Sequence, residues 1–468
     1  MVFLVDHGQI AALEILARNI LEEYGCPGLA LGLSERGKHM YTLGFGYRDV
    51  TRLMPVTGET IFGIGSLTKS FTCVSIMQLQ EAGKLKVDTP LVEILPGLRL
   101  AGQRASEAIT LHHLMTHTAG LPPLPGLALA LSADSDTEPS PRSGVAAKPM
   151  ATMNHLLDFL ADHPFTLLAS PGRVYSYSNE GYALLGCVIE QVAGQTYPSY
   201  VRENIITPLG LTRTIFDLPE VIDTADLSTL YVAQGVGGKV QIKGDSKWWN
   251  APVYSAAGML RSCAADLMRY AELFVASGRV GSERILTPAS VELMCIPHVA
   301  LPTRSYYGYG LSISHGYRGF TLMEHSGSSK GASAHLCMVP GEGLVSVALA
   351  NLAGTPAKEL ARRTIDLSLG RGDESEWGCD SAYSCPSERL RDYHGAYQSE
   401  EGVHLVVWAD RDGLVFRVDG LHCPARMVGR DLFLVRVKAV DFPACFLSDE
   451  TDHITSVFWG GRVIPKVV

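Results

Sequence analysis

The chain has no run of about 20 apolar residues, the length that a membrane-crossing helix needs, so no membrane span is expected. It also has no Cys-x-x-Cys pair, its ten cysteines being scattered from Cys26 to Cys445. That scatter suits buried thiols in a reducing compartment better than a disulfide framework, with Cys379 and Cys385 the one close pair in a polar stretch. Positive charge is short as well. With 39 Lys and Arg against 48 Asp and Glu, the net charge is −9, which argues against nucleic acid or an anionic membrane as partner. The opening residues, MVFLVDHGQIAALEILARNILEEYG, hold no Lys or Arg ahead of their apolar stretch, and Asp6 interrupts it. A secretory signal is therefore not expected, and cytoplasmic residence is.

What is present is enough apolar material for a large core: 46% hydrophobic and 19% charged residues in a chain of 468. That length exceeds what one core organises, so two structured units are expected. Ile10, Leu13, Ile20, Leu21 and Tyr24 recur near helical spacing, as in an amphipathic helix laid on a core. From residue 28, GLALGLSERGKHMYTLGFGYRD reads as two alternating runs around a turn at Gly37, a hairpin that starts a sheet. Between about residues 110 and 275 the apolar spacing turns helical, predicting an all-helical insertion. Short β-like runs return after residue 306 to finish the sheet, followed by the helical stretch PAKELARRTIDLSLG. Residues 371–388 are polar and read as a linker between a domain over 1–370 and a β-domain over 389–468. At about 80 residues, that β-domain is expected to be half a barrel or a sandwich of five to eight strands, too short for a full eight-stranded barrel. Residues 124–150 form a second low-order candidate.

Three segments carry chemistry. In IFGIGSLTKSFTCVSIMQLQEAGKL, Ser66 and Lys69 stand three apart at the start of an apolar helix, so both side chains share one face. A serine hydroxyl becomes a good nucleophile when a neighbouring amine accepts its proton, and a helix start adds N–H groups that can stabilise an oxyanion. In PGRVYSYSNEGYALLG, Tyr177 and Asn179 precede a helix. A tyrosine beside a lysine can shuttle protons and an asparagine can hold a substrate amide, while the plainer reading makes Asn179 a helix cap. In MEHSGSSKGASAHLCMVP, His325, Ser326 and Gly327 close a strand, and the Ser328 N–H could join that of Ser66 in an oxyanion hole because glycine lets a backbone come close. A lone strand histidine is more often structural.

Together these segments resemble the serine β-lactamase and penicillin-binding-protein superfamily, whose elements are Ser-x-x-Lys, Tyr-x-Asn and Lys-Thr-Gly or a variant. The class C β-lactamase-like branch is the nearest in phrasing, through LHHLMTHTAGLP, PLGLTRT, SAAGMLRSCAADLMRY, YGYGL and VALANL. The resemblance implies an α+β fold: an antiparallel sheet flanked by helices, an all-helical subdomain and a small lipocalin-like β-domain. It implies that Ser66 is acylated, that Lys69 and Tyr177 exchange the proton, that Asn179 holds the substrate amide, and that the Ser66 and Ser328 amides beside Gly327 bind the oxyanion. His325 would flank the pocket, donating to substrate or supporting Tyr177. It stands where lactamases have a lysine, so the pocket lacks a fixed positive charge and efficient β-lactam hydrolysis is not expected.

A His-x-Gly third element resembles that of D-aminopeptidases, which makes peptidase activity on small D-amino-acid-containing substrates the leading expectation. A carboxylesterase or acyltransferase and a weakly active penicillin-binding protein or β-lactamase are the alternatives. No cofactor or metal is expected. His113 and His117 have metal-ligand spacing, but Leu114 stands where zinc proteases have glutamate, and the resemblance makes His117 structural. The Gly235 to Gly238 cluster reads as a turn, and homo-oligomerisation is left open.

Overall fold

The computed structural model describes residues 7–37, 39–100, 108–132, 150–217, 226–236, 239–245, 247–371, 387–410, 413–437 and 440–467. The chain divides into two compact units, one formed by Met1–Thr89, Tyr182–His298 and Tyr307–Asp373, the other by Pro90–Gly181, Val299–Tyr306 and Glu374–Val468.

The first unit is built on an antiparallel sheet. Beyond two two-residue edge strands, Val299–Ala300 and Tyr306–Tyr307, its strands are β1 (Gly28–Glu35), β2 (His39–Asp49), β3 (Met54–Pro55), β6 (Ser312–Tyr317), β7 (Phe320–Ser329), β8 (Ala332–Val339) and β9 (Leu344–Ala350). They pair in the order β6-β7-β8-β9-β1-β2-β3, so the opening hairpin is joined in register to strands three hundred residues later, Leu29 opposite Ala350 and Leu31 opposite Ala348. Period-two alternation sends these four side chains to one face, where α1 (His7–Tyr24) and α6 (Ala357–Ser368) cover them. Leu13, Ala17 and Ile20 of α1 and Leu360, Ala361 and Ile365 of α6 complete this core. Each large aliphatic side chain so buried contributes roughly 1.5–3 kcal/mol. Helix α5 (Ala264–Val275) packs on β1 and β9 as well.

Helix α2 (Thr68–Glu81) is buried nearly all round, which is why its sequence shows no polar face. Its hydroxyls are satisfied inside: Ser70 and Ser75 donate to Leu67 and Phe71 carbonyls, and Thr72 meets the Tyr197 hydroxyl at 2.8 Å.

The insertion is not all-helical as expected. Between helices, β4 (Leu230–Val236) and β5 (Lys239–Asp245) form a hairpin with Leu230 opposite Asp245. Alternation in YVAQGVGGKVQIK outweighed the helical trend around it, and the glycine turn expected between the strands falls at 237–238, outside the described residues. Of the low-order stretch 124–150, Gly126–Ser132 is a helix, while 133–149 lies outside the described residues.

The second unit ends in a closed barrel of eight antiparallel strands: β10 (Gly395–Gln398), β11 (His404–Asp410), β12 (Gly413–Val418), β13 (Leu421–Gly429), β14 (Leu432–Val437), β15 (Val440–Ser448), β16 (Ile454–Trp459) and β17 (Arg462–Val467). This corrects the expectation of too few strands for closure. Strands of four to nine residues joined by very short turns fit eight times into the available length. Closure is by β10 on β17, with Ala396 opposite Val467, around a core that includes Tyr397, Phe416, Phe433 and Phe446.

The eight described cysteines are free, and Cys379 and Cys385 lie outside the described residues. Among the described residues no helix is long and apolar enough to cross a membrane, and no cluster of three or more His, Cys, Asp or Glu side chains could hold a metal.

Candidate active site

Ser66 sits in a tight turn, Gly65–Leu67, that runs directly into α2. Gly65 has φ +49°, and a β-carbon there would lie 2.7 Å from the Ser328 amide nitrogen. At Gly327 on β7 a β-carbon would lie 1.9 Å from the Ile64 carbonyl oxygen and 3.3 Å from the Ser66 nitrogen. Two facing glycines thus let strand and turn touch, which brings the Ser66 and Ser328 segments side by side. The arrangement can present two backbone N–H groups to one oxyanion. Gly327→Ala should push the strand off the turn, lowering the rate of Ser66 acylation by about 10²-fold or more, the scale of a lost oxyanion donor, as read by labelling kinetics.

Lys69 is fully buried beneath Ser66. Its Nζ donates to the Ser66 Oγ at 3.1 Å and to the Ala257 carbonyl at 2.6 Å, and lies 5.4 Å from the Tyr182 ring centre. Ala257 belongs to the SAAGML segment, whose role was not visible in the sequence because a backbone carbonyl leaves no side-chain signature. Ser66 itself is half-buried and so reachable, while Thr68 ties the turn down by donating to the Gly65 carbonyl at 2.7 Å.

His325 is held as a neutral imidazole. A carbonyl oxygen only accepts, so the 2.6 Å contact between Nδ1 and the Ser326 carbonyl places the proton on Nδ1. The Nε2 lone pair then accepts from the Tyr307 hydroxyl at 3.0 Å. Burial first, and the nearby Lys69 next, push its pKa down to about 3. On the neighbouring register position, the Ser326 hydroxyl donates to His335 Nδ1 at 2.9 Å, and His335 Nε2 donates to Glu324 at 3.2 Å. Glu324 is in turn held by two bonds from Arg362, at 2.7 and 2.6 Å. The third segment is therefore backed by a Ser-His-Glu-Arg chain, buried from His335 onward, of which only Ser326 stood out in the sequence.

Helix α4 (Asn179–Ala193), whose first residues belong to the second unit, starts one residue earlier than a capping Asn179 would require. Ser178 is the cap, its Oγ accepting from the Gly181 N–H at 3.0 Å. His117 holds the segment before it: its Nδ1 accepts from the Ser178 N–H at 3.1 Å and its carbonyl from the Ser176 N–H at 2.9 Å. Its ring lies 4.1 Å from that of Tyr177. His113 caps the short helix α3 (Leu111–Met115) together with Thr110, which accounts for the histidine spacing without a metal. The barrel also reaches Tyr177. The Tyr177 N–H donates to the Gly461 carbonyl at 2.9 Å, and the Arg462 guanidinium stands 4.9 Å from the ring centre. Nothing in the sequence flagged Arg462.

A serine on a turn before a buried helix, bonded to a fully buried lysine one helical turn on, in a sheet of this topology, defines a serine hydrolase. The profile of the Beta-lactamase family matches residues 13–370. The chain belongs to that family. It is 29% identical over 339 residues to penicillin-binding protein 4 of Amycolatopsis lactamdurans, covering 70% of this chain and 82% of that one. An octameric penicillin-binding protein homologue from Pyrococcus abyssi superposes with a TM-score of 0.70 at 27% identity, over 98% of this chain and all of the other. A D-stereospecific amidohydrolase from Streptomyces sp. superposes at 0.61 with 23% identity, over 78% of this chain and 100% of that one.

Proposed function

We propose that the protein is a peptidase or amidohydrolase of the D-aminopeptidase kind, working through an acyl-enzyme on Ser66. In this reading Lys69 and Tyr177 exchange the serine proton, Asn179 holds the substrate amide, and the Ser66 and Ser328 amides beside Gly327 take the oxyanion. His325 is an uncharged wall of the pocket. The observation that carries the choice is that neutral imidazole. A lysine in its place would attract a substrate carboxylate, whereas a histidine with Nδ1 and Nε2 both engaged leaves room for a substrate presenting an amide or a free amine instead. The D-stereospecific amidohydrolase among the similar folds agrees with it.

We read the chain as a hydrolase domain over 1–370 and a β-domain over 389–468 joined by 371–388, residing in the cytoplasm, where eight free cysteines are at home. An octameric relative makes a homo-oligomer the assembly to test for. The decisive assay compares D- and L-aminoacyl amides with p-nitrophenyl esters of matched acyl groups by kcat/KM. Release of amine from D-aminoacyl amides is expected. If only esters turn over, the protein is a carboxylesterase and the peptidase reading is abandoned.

A further inference from the structure

Tyr177 has a neighbour that no motif of the first 370 residues supplies. Strands β16 and β17 are joined by Gly460 and Gly461, at φ +56° and +84°, with Trp459 opposite Arg462. Two consecutive left-handed glycines make the tight turn that suits strand twist. It is pinned to the Tyr177 segment at two backbone points. Gly461 accepts from the Tyr177 N–H at 2.9 Å, and the Val463 N–H donates to the Ser176 Oγ at 3.3 Å. Tyr175 closes on Phe458 with ring centres 6.0 Å apart. Between these pins Arg462 lies over the Tyr177 ring, its guanidinium also bonded to both oxygens of Glu401, one of them at 3.2 Å.

We propose that Arg462 is a positioning residue for the hydrolase chemistry, a cation delivered by the C-terminal barrel that orients Tyr177 and stabilises its phenolate form. This rests on the reading of Tyr177 as a proton carrier. The physical argument is Coulombic. A positive charge about 5 Å from the centre of a phenol ring, in a partly desolvated setting, favours the anion by an amount that the paired Glu401 reduces. The other titratable groups around Tyr177 in its own unit are His117, Tyr175, Glu401 and Glu180. Glu180 is raised to about 7, by burial and then by the Glu401 charge. On the reading above, Lys69 joins them.

The test is the pH profile of kcat/KM for the full chain on its best amide or ester substrate, with Arg462→Met, Arg462→Lys and Tyr177→Phe singly and Arg462→Met/Tyr177→Phe together. Removing the cation makes the phenol a weaker acid, so the acidic limb of the Arg462→Met profile should move up by about one pH unit, with about tenfold lost at neutral pH. Arg462→Lys should restore most of the shift, and in the Tyr177→Phe background Arg462→Met should have no further effect. A loss equal at every pH, and undiminished in that background, would mean that Arg462 only props the fold and would overturn the inference while leaving Tyr177 in its role. A Tyr177→Phe variant with unchanged rate would remove both Tyr177 and this inference together.

Discussion

Ser66→Ala abolishes covalent labelling by a fluorophosphonate probe and lowers turnover by about 10⁴-fold or more, the scale on which loss of a catalytic serine falls. Lys69→Met, which keeps the buried volume, is expected to come close to the same loss. Among described groups in its own unit, Lys69 is the amine bonded to the Ser66 hydroxyl, and it is oriented for that contact by the Ala257 carbonyl. The pair behaves as one device, so the double variant should be scarcely worse than either single one. Labelling rate measured beside thermal unfolding separates lost chemistry from lost fold. Labelling that survives Ser66→Ala would move the nucleophile elsewhere.

Arg362→Leu is expected to destabilise the protein by about 3–5 kcal/mol, because it takes the two shortest bonds from the buried Glu324 carboxylate and leaves it only His335 and Lys358. Glu324→Leu/Arg362→Leu together should recover much of the loss, since it removes the under-compensated buried carboxylate along with its partner. Arg362, Lys358 and His335 outweigh burial and hold Glu324 well below the usual carboxylate range. A depressed carboxylate stabilises the fold above its unfolded value of about 4.5, and that contribution disappears as pH falls below it. His335 and His325 act in an earlier window. Both have lowered values through burial, so as pH drops below about 6.5 the unfolded chain takes up protons that the folded one refuses, and stability declines. Urea unfolding from pH 8 to pH 3 should therefore show two successive losses, of which Arg362→Leu removes the lower.

The contact between Ser66 and Lys69 was legible because it is local: a spacing of three at the start of one helix places the two side chains together whatever the rest of the chain does. The hairpin at Gly37 was legible for the same reason, its alternation surviving as β1 and β2. Residues that act at a distance were not. Tyr307 reaches His325 from another part of the unit, His335 reaches Ser326 across a strand pair, and Arg462 meets Tyr177 from the far end of the sequence. Each is an ordinary tyrosine, histidine or arginine in its own local setting, and only the fold gives it a partner. The barrel was undercounted because brief strands with minimal turns look, residue by residue, like a smaller sheet.

The bond from Val463 to Ser176 spans 287 residues of chain. Bringing such remote segments together carries a large loop-closure entropy before any contact rewards it, so pairings of this kind form late. During refolding the helix that follows Ser66 can assemble well ahead of the seam between Tyr177 and the hairpin tip. Native-like ellipticity should accordingly return before full enzymatic competence does.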